Sequence, residues 1–246
     1  MVRTQLFTVL CAAGLFQGCG PADLQVVRGA HALSFRGDAC AEAVGEPIAI
    51  GNAFTLEAFV RGDPWPSRLN ASIIALGDAV MLWTDENSTG ISEPSSDPQT
   101  GWQTELSLYD GMRHHVAAVW SADEGGALYL DGIRYGLGES LDVPEAAENI
   151  WIGCWPQGNR YFDGVIDEVR VSTIVRYPSN FEVPTEPFHK DEYTLALWHL
   201  DTGSGDAALE EMALFDTRLD GTTWTGGLIG PQRPASDDED TATASE

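Results

Sequence analysis

The sequence predicts an all-β protein in which two antiparallel sheets pack into a sandwich. Short runs of alternating apolar and polar residues are separated by turn signals at regular spacing. The connections between them are rich in glycine, which supplies 26 of the 246 residues. No segment of convincing length repeats its apolar residues with the period of a helix. Many short strands joined by such turns are the pattern of a β-sandwich.

The first 18 residues predict a lipoprotein signal peptide. Arg3 supplies a positive start, and residues 6–16 form an apolar stretch that is shorter than the roughly 20 residues needed to span a bilayer. The stretch ends in LFQGC, which resembles the lipobox of bacterial lipoproteins, with Phe16 where leucine is usual. The resemblance implies a lipid on Cys19, and Gly20 after it implies outer-membrane or cell-surface sorting. An ordinary signal peptide cut nearby is the alternative. Residues 19–30 would then form a tether.

The predicted domain covers residues 31–230, and its first half contains an opening strand, a long alternating strand and a strand pair. Gly77-Asp78 supplies the turn of the pair. Two prolines make residues 61–70 a loop, and residues 85–100 form a polar insertion without periodicity. The four predicted strands span residues 32–38, 54–60, 72–76 and 79–84.

The second half contains five more predicted strands, and two of its turns carry the Asp-Gly signal of a hairpin. The signals are Asp110-Gly111 and Asp131-Gly132, and residues 137–148 are predicted as a loop. The strands are expected over residues 103–109, 113–120, 127–135, 150–155 and 161–171.

Alternation predicts which face of the last two strands each side chain occupies. Ile150, Ile152 and Cys154 are expected to share one face. In the strand that follows, the valines are expected on one face and Glu168 on the other, with Asp167 breaking the pattern by pointing with the valines Val165, Val169 and Val171.

The remaining chain is predicted to complete the sandwich and then to lose structure. Prolines prevent a regular ladder over residues 175–192, which are expected to wrap back over the sandwich. Residues 194–200 are expected to add a strand, and residues 206–227 to form a loose return segment. The acidic residues 231–246 predict a disordered tail.

Several of these runs resemble laminin-G-like domains of the concanavalin-A-like lectin and glucanase sandwiches. The resemblance extends from Ala32 to about Asp201 and implies a two-sheet jelly roll. Arg36 and Arg113 depart from the family pattern, which has Asp and Trp there. The matching runs are ALSFRGD from residue 32, FTLEAFV from 54, RHHVAAVW from 113, LYLDG from 128, FDGVIDEVRV from 162 and LALWHLDTGSG from 195.

Two short runs resemble parts of enzyme active sites. Glucan hydrolases of this fold need two carboxylates that alternate along one strand, but Asp167 and Glu168 are adjacent, so a regular strand would turn them to opposite sides. The run Leu200-Asp-Thr-Gly-Ser204 resembles an aspartic-protease motif, whose chemistry needs a second aspartate of the same kind. We therefore predict a non-catalytic protein, with a glycosidase or an aspartic-protease-like enzyme as the remote alternatives.

Charge and aromatic content indicate the kind of partner. The formal charge of −25 repels phosphate backbones, which disfavours nucleic acid. Tryptophans in or beside predicted loops favour a surface that binds a glycan or an extracellular protein, although capping of the core explains them equally well. The alternative is a structural or envelope-assembly protein without a small ligand. The predicted ligand-binding residues are Trp65, Trp83, Trp102 and Trp155.

The family resemblance also implies a structural calcium ion and a disulfide. Asp167, with Asp38 as a second candidate, would be a ligand of the calcium; a salt bridge or a hydrogen bond would explain Asp167 equally well. Cys11 would be removed with the signal and Cys19 would carry lipid. The remaining Cys40 and Cys154 are predicted to form a disulfide because this family places its opening and closing strands side by side. Two free buried thiols are the alternative.

Overall fold

The computed structural model describes residues 28–94, 101–138, 141, 143 and 146–229, and these residues form almost entirely β-structure. Among them, no helix is long and apolar enough to cross a membrane. The elements are β1 (His31–Phe35), β2 (Cys40–Ala49), β3 (Ala53–Gly62), β4 (Ala71–Leu76), β5 (Val80–Thr84), β6 (Thr89–Ser92), β7 (Gly101–Thr104), β8 (His114–Ser121), β9 (Gly125–Leu130), β10 (Ile133–Gly138), β11 (Ala146–Ile152), β12 (Cys154–Trp155), the 3₁₀ turn η1 (Pro156–Gly158), β13 (Arg160–Tyr161), β14 (Gly164–Ser172), β15 (Thr194–Trp198), β16 (Ala207–Ala208), β17 (Phe215–Asp220) and β18 (Thr223–Gly226).

Two large antiparallel sheets form the predicted sandwich. Sheet A has the order β10-β9-β8-β3-β14-β1-β18, with β15 also paired to β14. Sheet B has the order β16-β17-β2-β11-β4-β5-β6-β7. Apolar side chains of both sheets fill the space between them, as shown by the fully buried Leu33 and Leu56 of sheet A and Ile74 and Ile152 of sheet B. The all-β sandwich fold is therefore confirmed.

The two hairpins predicted at Asp131-Gly132 and Gly77-Asp78 are confirmed. Strands β9 and β10 turn at Asp131 and Gly132, whose φ angles of 49° and 76° suit a two-residue turn of the primed type. Strands β4 and β5 pair around Gly77. Thr194–Trp198 adds a strand to sheet A by pairing with β14, as predicted.

The predicted Asp110-Gly111 hairpin is wrong, and the predicted polar insertion before it contains a strand. Strand β7 ends at Thr104 and pairs with β6, which lies inside the predicted insertion. Because β7 belongs to sheet B and β8 to sheet A, the connection between them crosses the sandwich and cannot be a hairpin. The Asp110 carboxylate instead accepts a hydrogen bond from the backbone N–H of Met112 and contacts His114.

The loose return segment predicted over residues 206–227 is also wrong. It contains β16, β17 and β18, of which β17 pairs with β2 in sheet B and β18 pairs with β1 in sheet A. Strand β2 was not predicted. The C-terminal part of the chain thus contributes a strand to each sheet, and the described part of the domain ends at Ile229.

Two residues with a left-handed backbone conformation change which face of the sheet the side chains after them occupy. Gly153 has a φ of 72°, so Cys154 does not follow Ile150 and Ile152 into the core but packs with Trp151 on the outer side of sheet B. Glu168 has a φ of 50° and forms a bulge in β14. Val169 and Val171 therefore face the core, as does Ile166, while Val165 packs on the outer side of sheet A.

The predicted disulfide is confirmed. Cys40 and Cys154 are bonded, with their Cα atoms 5.2 Å apart and 114 residues between them in sequence. The bond connects the start of β2 to β12 and so anchors the segment that follows β11 to sheet B.

Candidate functional site

The outer side of sheet B carries the candidate site. In the strand register, Arg218 of β17 lies opposite Glu42 of β2, and Glu42 lies opposite Trp151 of β11. The neighbouring alanines Ala41 and Ala43 are buried in the core, so alternation turns these three side chains outward. We call the outward surface of β17, β2, β11 and β4 the sheet B face.

Two adjoining cavities open on the sheet B face. The larger, of about 570 Å³, is lined by residues that include Asp38, Glu42 and Arg218. The smaller, of about 350 Å³, is lined by residues that include Asp78 and Asn149. Trp151 and Gln157 line both cavities, so the two form one groove that crosses the strands.

A small hairpin built from β12, η1 and β13 forms the rim of this groove. Its base is fixed by the Cys40–Cys154 disulfide. Inside it, the Trp155 indole N–H donates a hydrogen bond to Asp78 Oδ1 at 3.0 Å, and the Arg160 guanidinium lies 5.7 Å from the Trp155 ring centre. Asn159 adopts a left-handed φ of 53° to close the turn. The hairpin thereby holds Gln157 at the rim.

The charged groups of the larger cavity are available to a ligand. Within the described chain, the side chains of Asp38, Glu42, Arg218 and Asp220 make no hydrogen bond or ion pair, although Glu42 and Arg218 face each other across two strands. Tyr161, also in the lining, is stacked by the Arg68 guanidinium at 4.6 Å. A groove of this kind presents aromatic, amide and charged groups side by side, which is the composition of a polar-ligand site.

Comparison with known proteins identifies the family to which this sandwich belongs. A family model of laminin G domains in the concanavalin A-like lectin/glucanases superfamily matches residues 36–180. The chain belongs to this superfamily. Its members share a sandwich, and the match covers most of both sheets. No curated protein sequence is matched.

Solved structures agree with the superfamily fold. A Bacteroides ovatus ATCC 8483 protein to which carbohydrate binding has been ascribed matches at 16% identity and a TM-score of 0.60, covering 84% of this chain and 62% of its own. This chain therefore spans less than two thirds of that protein. A SAP-like pentraxin from Limulus polyphemus matches at 14% identity and a TM-score of 0.49, covering 73% and 99%. Mouse laminin α1 domains LG4-5 match at 16% identity and a TM-score of 0.46, covering 63% and 46%. The Bacteroides ovatus match supports the fold alone.

The four predicted ligand-binding tryptophans do not form one cluster in this superfamily member. Trp65 stands alone on a loop with 92% of its surface exposed. Trp83 and Trp155 pack together on the outer side of sheet B. The ring of Trp102 packs directly on Gly126 and Gly138. A side chain on either glycine would clash, because its Cβ atom would lie only about 2 Å from the ring.

The sequence reasoning missed the residues that line the groove. Trp151, Gln157 and Tyr161 were included in predicted strands or turns but were not assigned a role. Glu42 and Arg218 lie in β2 and β17, two of the strands that were not predicted. The alternation of Phe215, Thr217 and Leu219 with charged residues in β17 is the signal that identifies an outward-facing Arg218.

The two predicted calcium ligands are far apart. Phe35 of β1 pairs with Gly164 of β14 in an antiparallel ladder. Asp38 follows Phe35 by three residues and Asp167 follows Gly164 by three residues. Because the strands run in opposite directions, the two aspartates lie on opposite sides of this pair. Asp38 lines the larger cavity, whereas Asp167 is fully buried on the outer side of sheet A. In the described part of the chain, no group of three or more His, Cys, Asp or Glu side chains is arranged to hold a metal ion.

Asp167 belongs to a buried acidic cluster that the bulge creates. The bulge at Glu168 leaves both carboxylates on the outer side of sheet A near Asp201, which corrects the expectation that they face opposite sides. Asp167 Oδ2 accepts a hydrogen bond from the Leu228 N–H at 2.7 Å, while Oδ1 has no partner among the described residues. Burial raises the pKa of Asp167 to about 8, and the charges of Glu168 and Asp201 add to the increase. This environment favours the neutral, protonated form of the Asp167 carboxyl.

The raised pKa of Asp167 predicts that stability falls with rising pH. Between about pH 4 and pH 8 the folded chain retains a proton that the unfolded chain releases, so the free energy of unfolding decreases across that window. Asp167→Asn should remove this slope and exceed the wild type at pH 8 by on the order of 2 kcal/mol, because the gain is offset by one unpartnered amide N–H. Urea denaturation of both proteins from pH 5 to pH 8 measures the effect. Parallel pH profiles would refute it.

Proposed function

We propose that this protein is a non-catalytic binding module that recognises a glycan through the groove of the sheet B face. The observation that carries the proposal is the pair of adjoining cavities that share Trp151 and Gln157. Amide and hydroxyl groups both donate and accept hydrogen bonds, so Asn149, Gln157 and Tyr161 suit the hydroxyl groups of a sugar. The unpaired Glu42 and Arg218 supply stronger, charge-assisted contacts.

The placement of the other acidic residues supports a role without catalysis. Asp201, in the protease-like run, accepts hydrogen bonds from the backbone N–H groups of Gly29 and His31 and so holds the start of β1. Asp167 and Glu168 are fully buried on the outer side of sheet A, and neither lines a cavity of the sheet B face. The carboxylates that lie in enzyme-like sequence runs are therefore part of the structural framework of the fold. A protein partner on the same face is the second candidate, favoured by the charged rim at β17.

We also propose that the domain is exported and held at the outer membrane or cell surface by a lipid on Cys19. The support is the apolar stretch that ends in LFQGC and the oxidised Cys40–Cys154 pair, which is typical of exported proteins. Cys19 lies outside the described residues. The predicted tether reaches the domain at residues 28–30, where Gly29 already bonds to Asp201.

Substitution in the groove tests the glycan-binding proposal. The protein is first screened on a glycan array, and binding of the selected oligosaccharides is measured by isothermal titration calorimetry. Asn149→Ala and Gln157→Ala should each weaken binding about tenfold, because each removes hydrogen bonds worth about 1.4 kcal/mol in total. Asp123→Asn, in the turn between β8 and β9, is the control and should bind as the wild type. An array without a hit, or groove variants that bind like the control, would contradict the proposal.

A further inference from the structure

We propose that the ligand of the sheet B groove is an oligosaccharide that carries protonated amino groups and occupies both cavities at once. The inference deepens the proposed function and rests on it. It follows from three properties of the groove: the sign of its charge, its length and the chemistry of its neutral lining.

The charge of the groove selects the class of sugar. Three carboxylates, from Asp38, Glu42 and Asp220, line the larger cavity with a single cation, Arg218. In the smaller cavity, Asp78 already accepts the hydrogen bond of the Trp155 indole, and the lining contains no cation. The three carboxylates of the larger cavity make no ion pair in the described chain and outnumber the one cation, so the net charge of this lining is negative. The remaining surface adds to the same field, since the whole chain carries a formal charge of −25.

This field favours a cationic ligand and opposes an anionic one. An ammonium group beside a carboxylate is attracted more strongly at a protein surface than in bulk water, because the effective dielectric constant is lower there. A uronic acid or a sulfated sugar would experience repulsion of the same order. Arg218 lies opposite Glu42 without pairing to it, which leaves Glu42 free to bind an amino group.

The length of the groove selects a chain over a single sugar. The cavities extend from β17 across β2 and β11 to the turn that follows β4. Four strands at the usual spacing span about 14 Å, which accommodates several linked sugar rings and exceeds one. Trp151 and Gln157 lie where the cavities meet, so an internal ring of the chain would contact both.

The neutral lining suits the hydroxyl groups of a glycan. Asn149 and Gln157 offer amides to hydroxyl groups, and Tyr161 adds an aromatic ring and a hydroxyl to the acidic cavity. A lysine-rich peptide would use the same carboxylates, so a tetralysine probe distinguishes the two classes of ligand.

Four oligosaccharides test the inference by calorimetry at pH 6 on the full protein. The probes are the glucosamine tetramer, the glucosamine dimer, the neutral N-acetylglucosamine tetramer and a tetramer of galacturonic acid. The glucosamine tetramer should bind at least tenfold more tightly than the neutral tetramer and than the glucosamine dimer, and the acidic tetramer should not bind. Raising NaCl from about 50 mM to about 500 mM should reduce the preference, because salt screens exposed charges.

Charge-matched variants separate the site from the general charge of the chain. Glu42→Gln should weaken binding of the glucosamine tetramer at least fivefold and leave the neutral tetramer unaffected, while Asp123→Asn should change neither. Equal binding of the neutral tetramer, binding of the acidic tetramer, or a tetralysine peptide that binds as tightly as the glucosamine tetramer would overturn the inference. In the first two cases the glycan-binding proposal would survive. Absence of binding by every sugar would count against both.

Discussion

Glu57→Gln is expected to lower the free energy of unfolding by about 3–5 kcal/mol, because it removes one partner of a buried charge cluster. Glu57 is fully buried in β3. Its carboxylate accepts hydrogen bonds from Arg170 Nε at 2.8 Å and the Tyr177 hydroxyl at 2.6 Å, and contacts His115 Nε2 at 3.1 Å. Removing the carboxylate leaves the Arg170 guanidinium nearly buried without its counter-charge.

The cluster also fastens the segment that wraps over sheet A. Tyr177 lies in that segment, and Arg170 donates a second hydrogen bond to the His189 carbonyl. Phe188 packs beneath the Arg170 guanidinium, whose carbon lies 4.3 Å from its ring centre. The effect of the substitution should therefore include loosening of residues 173–193, detectable as faster amide exchange there.

The pKa of Glu57 adds an acid signature to this result. Burial acts to raise the pKa, but contacts with His115 and Arg170 outweigh it and lower the pKa to about 2. The folded pKa lies below the unfolded value near 4.5, so the stability it contributes is present above that value and is lost as pH falls toward 2. Glu57→Gln should lack this loss.

Urea denaturation at pH 7 and pH 3 checks both statements. Arg36→Ala is the control, because its ion pair with Asp63 at 3.1 Å is largely exposed and should contribute less than about 1 kcal/mol. A Glu57→Gln protein within about 1 kcal/mol of the wild type at pH 7 would show that the buried cluster does not stabilise the fold.

Loss of the disulfide should produce the second large effect. The Cys40–Cys154 bond spans 114 residues, and chain-entropy arguments give a loop of that size about 4–5 kcal/mol, reduced by any residual structure in the unfolded chain. The double variant Cys40→Ala, Cys154→Ala should therefore melt several degrees below the wild type. Because the bond anchors the hairpin that carries Gln157, the same variant should also bind the groove ligand more weakly.

Calorimetric melting with and without reductant provides the comparison. Reduced wild type and the double variant should melt together, both below the oxidised wild type. If reductant leaves the wild-type transition unchanged while free-thiol titration shows both cysteines reduced, the bond does not stabilise the domain.

The elements predicted correctly are those whose signal is local. Asp131-Gly132 encodes its hairpin in two residues, and the β3 and β8 runs alternate clearly enough to define strands. Strand β2 was missed because its core-facing residues are alanines, whose small apolar surface gives little periodic signal. The predicted faces failed at Gly153 and Glu168, because a single left-handed residue reverses alternation and no local pattern marks a bulge formed at a glutamate.

The candidate site was harder to predict than the fold because its residues are distant in sequence. Glu42, Trp151 and Arg218 become neighbours only when β2 pairs with β11 and β17. The tryptophans were chosen for their position beside predicted loops, but packing against glycines covers part of the Trp102 ring, and Trp155 is buried within its own hairpin. Exposure of an aromatic ring depends on these tertiary contacts, which alternation and turn signals do not report.

Hydrogen–deuterium exchange with and without a bound oligosaccharide tests the location of the site most directly. We expect the tightest-binding glycan to slow amide exchange in β2, β11, β17 and the hairpin of β12, η1 and β13. Exchange in the loop that carries Trp65 should not change. Slower exchange confined to the Trp65 loop or to the outer side of sheet A would place the binding surface elsewhere and contradict the assignment of the sheet B face.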